Sequence, residues 1–417
     1  MITANDINQI MGITESFLLP ERMMQILLSG EKDLIFDSFR ELESDLSFDW
    51  FTDYFQEEHA NRNAMMQDFT PKELTQLLPE LACSTYTKVL DVCAGTGGLT
   101  IGAWSKNPNA FFVCEELSQR ALPLLMFNMS IRNINGYVIN KNILSGEVMG
   151  IYRLDKSERY SEIVEERSLP ELKDFDLVVM NPPYSLKHEW KEIPEWLRGY
   201  EPPTKAADYG FVLYGMSKMR SGATLCAILP HGVLFRGQKE GVIREKLIRD
   251  KRIRSIIGLP DKLFLNTQIP VCVMVIGENE NEIIFIDASK KFVKAGKQNV
   301  LRKEDVDEIA NAYHTRANVD RYSSRVDFSE LESNDFNLNI PRYVDTTEKA
   351  ELPKMGEVIR DLMDIDSQIQ KTEFELSKML KNLKAQDPED QKTINAFARY
   401  CQKKKVNNGY EQLSLNL

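Results

Sequence analysis

The chain has 417 residues, 42% hydrophobic and 28% charged, with a formal net charge of −11; that composition supports a sizeable core and two or three domains. The acidic balance argues against a free-standing nucleic-acid binder, because phosphate contacts need Lys and Arg to displace counterions. No apolar run approaches the roughly 20 residues of a membrane span, and the opening MITANDINQIMG lacks the order of a signal peptide, so a cytosolic protein is expected. Six cysteines without a CxxC pair and four histidines without HExxH point to neither a disulfide framework nor a metal centre.

Residues 1–66 read as short helices, with an amphipathic LLPERMMQILL and an acidic, aromatic SDLSFDWFTDYFQEEH. From 67 to 346 short apolar strands (VLDV, AFFVCE, YVIN, DLVVM, TLCAILP, RSIIGLP, VCVMVI) alternate with helix-length segments. This is the rhythm of an α/β fold with a doubly wound, Rossmann-like sheet. In residues 347–417, positions Val358, Leu362, Ile365, Ile369, Thr372, Leu376, Met379 and Leu383 follow a 4,3,4,3 spacing with charges between. That heptad seam predicts a long helix from about Val358 to Leu383, suited to subunit assembly.

Two strand ends carry chemistry. The first strand, KVLDV, ends at Asp91 and Val92 and runs through Cys93 into Ala94, Gly95, Thr96, Gly97 and Gly98 before a helix. Glycines there let a ligand approach the backbone at the carboxyl edge of the sheet. The spacing is neither GxGxxG nor GxxxxGK[ST], so the ligand is not held by phosphates. Glu115, at the end of the second strand, is placed to accept from both hydroxyls of a ribose. An adenosyl ligand without phosphate, with an amino-acid tail that Asp91 helps hold, is S-adenosyl-L-methionine.

The second strand end is DLVVMNPPYS, residues 176–185. The strand stops in Asn181, Pro182, Pro183 and Tyr184, where two prolines fix φ and remove donors. An exocyclic amine on a base is a poor nucleophile until its nitrogen is drawn toward tetrahedral geometry. The Asn181 carboxamide oxygen and the Pro182 carbonyl can do this by accepting its two N–H bonds, while Tyr184 offers a ring face. Further on, RGQKEGVIREKLIRDKRIR (236–254) has eight basic and three acidic residues. It reads first as a solvated helix face and second as a phosphate-facing surface.

With these motifs in order, the chain resembles the N6-adenine DNA methyltransferases, and specifically the methylation (M) subunits of type I restriction-modification systems, from about residue 50 to 346. Beside NPPY the resemblance rests on MMQDFTPKEL, DVCAGTGG, VCEELSQRA, LPHGVLFRGQKEGVIREKL, IIGLPDKLF and NDFNLNIPRYVD. It implies that Phe69, Thr70 and Pro71 close over the methionine end of the cofactor. It also puts Asn142, followed by Ile143, where the family carries an acidic residue near the cofactor adenine. An aromatic after LPHG, here Phe235, is expected to hold a flipped base. The polar, aromatic stretch SLKHEWKEIPEWLRGYEPPTKAADYG reads as a loop over the target.

No segment up to 346 is left over for a recognition domain. The resemblance therefore implies double-stranded DNA as substrate and a specificity (S) subunit as partner. A second M subunit and a restriction (R) subunit are further members of such systems, and the setting is cytoplasmic, bacterial or phage-encoded, near the nucleoid. A protein glutamine methyltransferase and a catalytically idle assembly subunit are the alternatives. The tail QLSLNL (412–417) is similar to peptides that dock on a replication sliding clamp; a frayed amphipathic end also accounts for it.

Overall fold

The structure is a computed structural model describing residues 2–52, 54, 70–82, 85–203, 205–264, 269–279, 281–296, 298–346 and 354–403. Phe69 and the QLSLNL tail lie outside the described residues. The chain divides into two compact units, residues 1–346 and 347–417.

The helices of the first unit are α1 (Ala4–Met11), α2 (Leu19–Leu27), α3 (Lys32–Leu42), α4 (Lys72–Glu80), α5 (Gly98–Lys106), α6 (Leu122–Ile131), α7 (Asp208–Ser217), α8 (Lys239–Arg249), α9 (Lys303–Thr315) and α10 (Phe328–Ser333). Its strands are β1 (Lys88–Val92), β2 (Phe111–Glu116), β3 (Asn135–Lys141), β4 (Val148–Asp155), β5 (Glu162–Glu165), β6 (Phe175–Met180), β7 (Met219–Pro230), β8 (Ile253–Gly258), β9 (Val271–Ile276), β10 (Glu282–Asp287), β11 (Val293–Ala295), β12 (Gln298–Val300) and β13 (Ser323–Asp327). All but β11 and β12 form one eleven-stranded sheet, ordered β13-β10-β8-β9-β7-β6-β1-β2-β3-β4-β5.

The middle of the sheet, β7-β6-β1-β2-β3, is parallel, and the flanking pairs are antiparallel apart from β8-β10. The central strands are apolar on both faces because both faces are covered. One face packs under α1–α6 and α9, with Val89, Phe112, Cys114 and Val179 pointing into that core. The other packs under α7, α8 and α10, with Leu90, Val113, Val178 and Met180. This is the doubly wound α/β fold expected. Two features differ from the expectation. After β3 the chain returns as the antiparallel ribbon β4-β5, not as a helix. The N-terminal helices also join the sheet's own core. Phe127 of α6 receives Phe36, Phe39 and Phe51 at ring distances of 4.8, 4.9 and 5.0 Å, so these three aromatic residues are buried anchors.

The second unit holds the long helix expected over the seam, α11 (Met355–Asn382), and after a break a second helix, α12 (Pro388–Lys403), that makes it a helical hairpin. The break follows from Asp387-Pro388. Proline favours a first helical position, and the Asp387 side chain accepts from the Glu389 N–H at 2.8 Å. Within the hairpin the Ser377 hydroxyl donates to the Ala398 carbonyl at 2.9 Å, and Ala398 and Cys401 are buried. The seam residues Leu362, Ile365, Ile369, Leu376, Met379 and Leu383 are exposed.

Candidate active site

Register brings the two strand ends together. Val92 on β1 pairs with Glu115 on β2 and with Met180 on β6, so Cys93, Glu116 and Asn181 follow side by side at the carboxyl edge. There a cavity of about 220 Å³ is lined by Ala94, Gly95, Thr96 and Gly98 of the turn, Glu115 and Glu116 at the end of β2, Asn142 and Ile143 just beyond β3, Asn181–Tyr184, and Thr70. Most of the residues singled out in the sequence thus share one cavity; Asp91, Pro71, Gly97 and Phe235 do not line it.

The turn needs its glycines. Gly95 and Gly97 have φ of 58° and 94°, in the left-handed region, and a Cβ on Gly97 would sit 2.8 Å from the Leu125 side chain. At Gly95 a Cβ would meet nothing within 4 Å: space lies above the backbone on that side. Both flanks of the turn are tied down. The Gly95 N–H donates to Glu116 Oε2 at 2.7 Å. The Thr96 hydroxyl donates to Asp49 Oδ2. Asp49 also accepts from Asn128 Nδ2 at 2.8 Å through Oδ1, and Arg132 orients Asn128 while donating to the Leu46 and Phe48 carbonyls. Asp49 is a cavity residue that sequence reasoning missed. Locally it only caps its own turn, accepting from the Phe51 N–H and the Thr52 hydroxyl, and the partners that tie it to the cavity lie 47 and 79 positions away.

Three residues with expected cofactor roles, Asp91, Glu115 and Asn142, have side-chain atoms engaged within the protein. Asp91 is buried, and its Oδ2 accepts from the Thr100 N–H at 3.0 Å and hydroxyl at 2.7 Å. It braces the start of α5 and does not line the cavity, and burial pushes its carboxyl up to about 7. Strand alternation decides between Glu115 and Glu116. Glu115 lies on the α7 side with Val113, where Oε1 accepts from Tyr214 at 2.6 Å and pairs with the Lys141 ammonium at 3.1 Å. Glu116 lies on the side of Cys114 and the glycine turn. Desolvation raises its pKa. Asn142 spends its side-chain oxygen on the Leu144 and Ser145 N–H groups at 3.1 and 3.2 Å, because the chain turns sharply after β3.

At NPPY, Asn181 Nδ2 donates to the Thr70 hydroxyl at 3.0 Å and the Tyr184 hydroxyl donates to Asn181 Oδ1 at 2.8 Å. The carboxamide is therefore held from both ends. The Tyr184 ring meets Phe264 edge-on at 6.2 Å. The loop beyond is folded, with Trp190 packed between His188 and Trp196, Trp196 against Tyr214, and Leu197 buried. Phe235, expected to hold a base, is half exposed and does not line the cavity.

The parallel middle sheet, the glycine turn and the adjacent Asn-Pro-Pro-Tyr edge define the class-I type of methyltransferase fold. The N-6 DNA Methylase family profile matches residues 45–352, and the chain belongs to that family. It is similar to the type I restriction enzyme MjaVIII methylase subunit of Methanocaldococcus jannaschii, 27% identical over 76% of this chain and 55% of the relative. In solved structures it resembles the type I restriction-modification system methyltransferase subunit of Streptococcus thermophilus, with 28% identity, a TM-score of 0.61, and 77% of this chain and 66% of that one covered. A release factor glutamine methyltransferase of Flavobacterium psychrophilum is 29% identical, over only 28% of this chain and 33% of its own. The chain spans about half the length of the curated relatives it matches. No helix among the described residues is long and apolar enough to cross a membrane.

Proposed function

We propose that the cavity binds S-adenosyl-L-methionine and that the NPPY edge presents the N6 amine of an adenine flipped out of double-stranded DNA, making this chain the methylation subunit of a type I system. The observation that carries this reading is the placement of Asn181, held by Thr70 and Tyr184, in one cavity with the glycine turn. The residues suit such a cofactor. Gly95 leaves room for close approach, Glu116 offers a carboxylate beside the turn for the ribose hydroxyls, and Leu117, Ile143 and Leu144 supply apolar walls for a purine.

When bound, the cofactor supplies an electrophilic methyl carbon. Asn181 Oδ1 and the Pro182 carbonyl accept the two N–H bonds of the amine and so free its lone pair for attack, while Tyr184 orients the Asn181 oxygen. Proton loss follows transfer, so no strong base is required. Flipping is needed because an amine inside a duplex cannot reach an enclosed cofactor.

On this reading sequence choice comes from a separate specificity subunit: the relatives are named methylase subunits of type I restriction enzymes. A second methylation subunit and a restriction subunit complete such an assembly. The test is label transfer from radioactive cofactor, offered to DNA and to a protein extract, by the chain alone and with its specificity protein. Label in DNA adenine only with the partner supports the reading. Label in protein glutamine, or none with either substrate, replaces it with the glutamine methyltransferase or the idle subunit.

A further inference from the structure

The motif LPHGVLFRGQKEG after β7 is not accounted for by the cavity, and its arginine points to the catalytic turn from behind. Arg236 Nη2 donates to Asp208 Oδ2 at 2.7 Å and Nη1 to the Ser185 hydroxyl at 3.1 Å, while Nε lies 3.0 Å from Glu240 Oε2. Ser185 directly follows Tyr184. Its φ of 53° is a left-handed conformation that a non-glycine residue holds only when its surroundings impose it.

The imposing group is Asp208, whose Oδ1 accepts from the Ser185 N–H at 2.9 Å. Its side chain is fully buried at the first residue of α7, where the helix dipole favours a carboxylate. Arg236 is itself fixed: its N–H donates to the Gly232 carbonyl and its carbonyl accepts from Arg244, both at 2.9 Å. The guanidinium fork thus reaches the turn's exit both directly and through Asp208.

We propose that Arg236 and Asp208 are positioning residues for methyl transfer: by holding Ser185 left-handed they set the exit of the turn that carries Asn181 and Pro182. The inference rests on the function proposed above. It gives a role to the arginine that follows Phe235, which is half exposed and does not line the cavity. A shift of about 1 Å in the amine-accepting oxygens costs on the order of a hundredfold in rate, and cofactor binding at the glycine turn is untouched by it.

The experiment uses the full chain assembled with its specificity protein, comparing wild type with Arg236→Lys, Arg236→Gln and Asp208→Asn. Single-turnover methylation of DNA, cofactor Kd and thermal melting are measured on each. Asp208→Asn keeps an acceptor for Ser185 and turns a donor toward Arg236, so it tests the clamp with little change of volume. The expected result is a single-turnover rate lowered tenfold to a hundredfold, more in Arg236→Gln than in Arg236→Lys, with cofactor Kd unchanged. Unchanged rates overturn the proposal, as does a rate loss that only tracks lost cofactor binding or lost folding. A wild-type complex that transfers no label to DNA overturns the underlying function instead.

Discussion

Asn181 and Glu116 are expected to fail in opposite ways, because one acts on the amine and the other on the cofactor. Asn181→Ala should lower methyl transfer by on the order of a hundredfold or more while calorimetry finds cofactor binding nearly intact. Glu116→Ala should weaken cofactor binding by about 1.5–3 kcal/mol, roughly ten- to hundredfold in Kd. Glu115→Ala has a different signature. It leaves the buried Lys141 ammonium without its carboxylate, destabilising the fold by about 3–5 kcal/mol in denaturant melts. A cofactor effect from Glu115 without a stability loss would return the ribose role to it.

Asp91 supplies a pH dependence. Burial raises its carboxyl from 3.8 to about 7 in the folded state, so the folded protein binds a proton there that the unfolded chain releases near pH 4. The stability this provides is fully present below about pH 4 and is lost as pH rises through about 7. Asparagine at 91 still accepts from Thr100, so Asp91→Asn should remove that slope. Thermal melts between pH 4 and 8 should show wild type losing stability relative to the variant, and parallel curves would refute the assignment.

Among elements, α8 shows why a basic run need not be a nucleic-acid surface. Arg244 is buried and donates to the Val233, Arg236 and Phe336 carbonyls. Arg249 pairs with Glu245 and Glu332, Lys246 with Asp250, and Arg236 with Asp208 and Glu240. These charges tie the helix to its surroundings, which is closer to the first of the two readings of the run. Helix α11 is the contrary case. It keeps Leu362, Ile365 and Ile369 on an exposed stripe, while α12 packs along the side of Ser377. Changing Leu362 and Ile369 to Asp should abolish co-purification with the specificity protein while leaving the melting of residues 1–346 and cofactor binding unaltered. Retained co-purification would move assembly elsewhere.

At the scale of the whole molecule, a net charge of −11 predicts that the isolated chain binds DNA weakly, which a titration of the chain alone checks. Adding the specificity protein should raise DNA affinity and introduce a steep salt dependence, measured by titrating the complex at several salt concentrations. Removing residues 347–417 should leave a folded core that binds cofactor and no longer methylates DNA, since those residues form a compact unit of their own. Site-specific methylation by the purified chain alone would refute the division of labour.

The sequence by itself determined the alternation of strands and helices, the glycine turn after β1, the Asn-Pro-Pro-Tyr edge after β6 and the heptad seam of α11. Each is written in neighbouring residues, through apolar periodicity, left-handed glycines and proline stiffness. Only the tertiary structure decided which way the side chains face. Glu115 and Glu116 are adjacent and chemically alike, and the strand register alone sends one toward Lys141 and the other toward Gly95. Asp91 is taken by Thr100, Asn142 by its own turn, and Phe235 by solvent, each through local geometry that residue type does not encode. Asp49 and Arg236 reach the site from segments 47 and 51 residues from the partners they hold. No sequence pattern records a contact at that separation, because the folded sheet, not the chain, makes those residues neighbours.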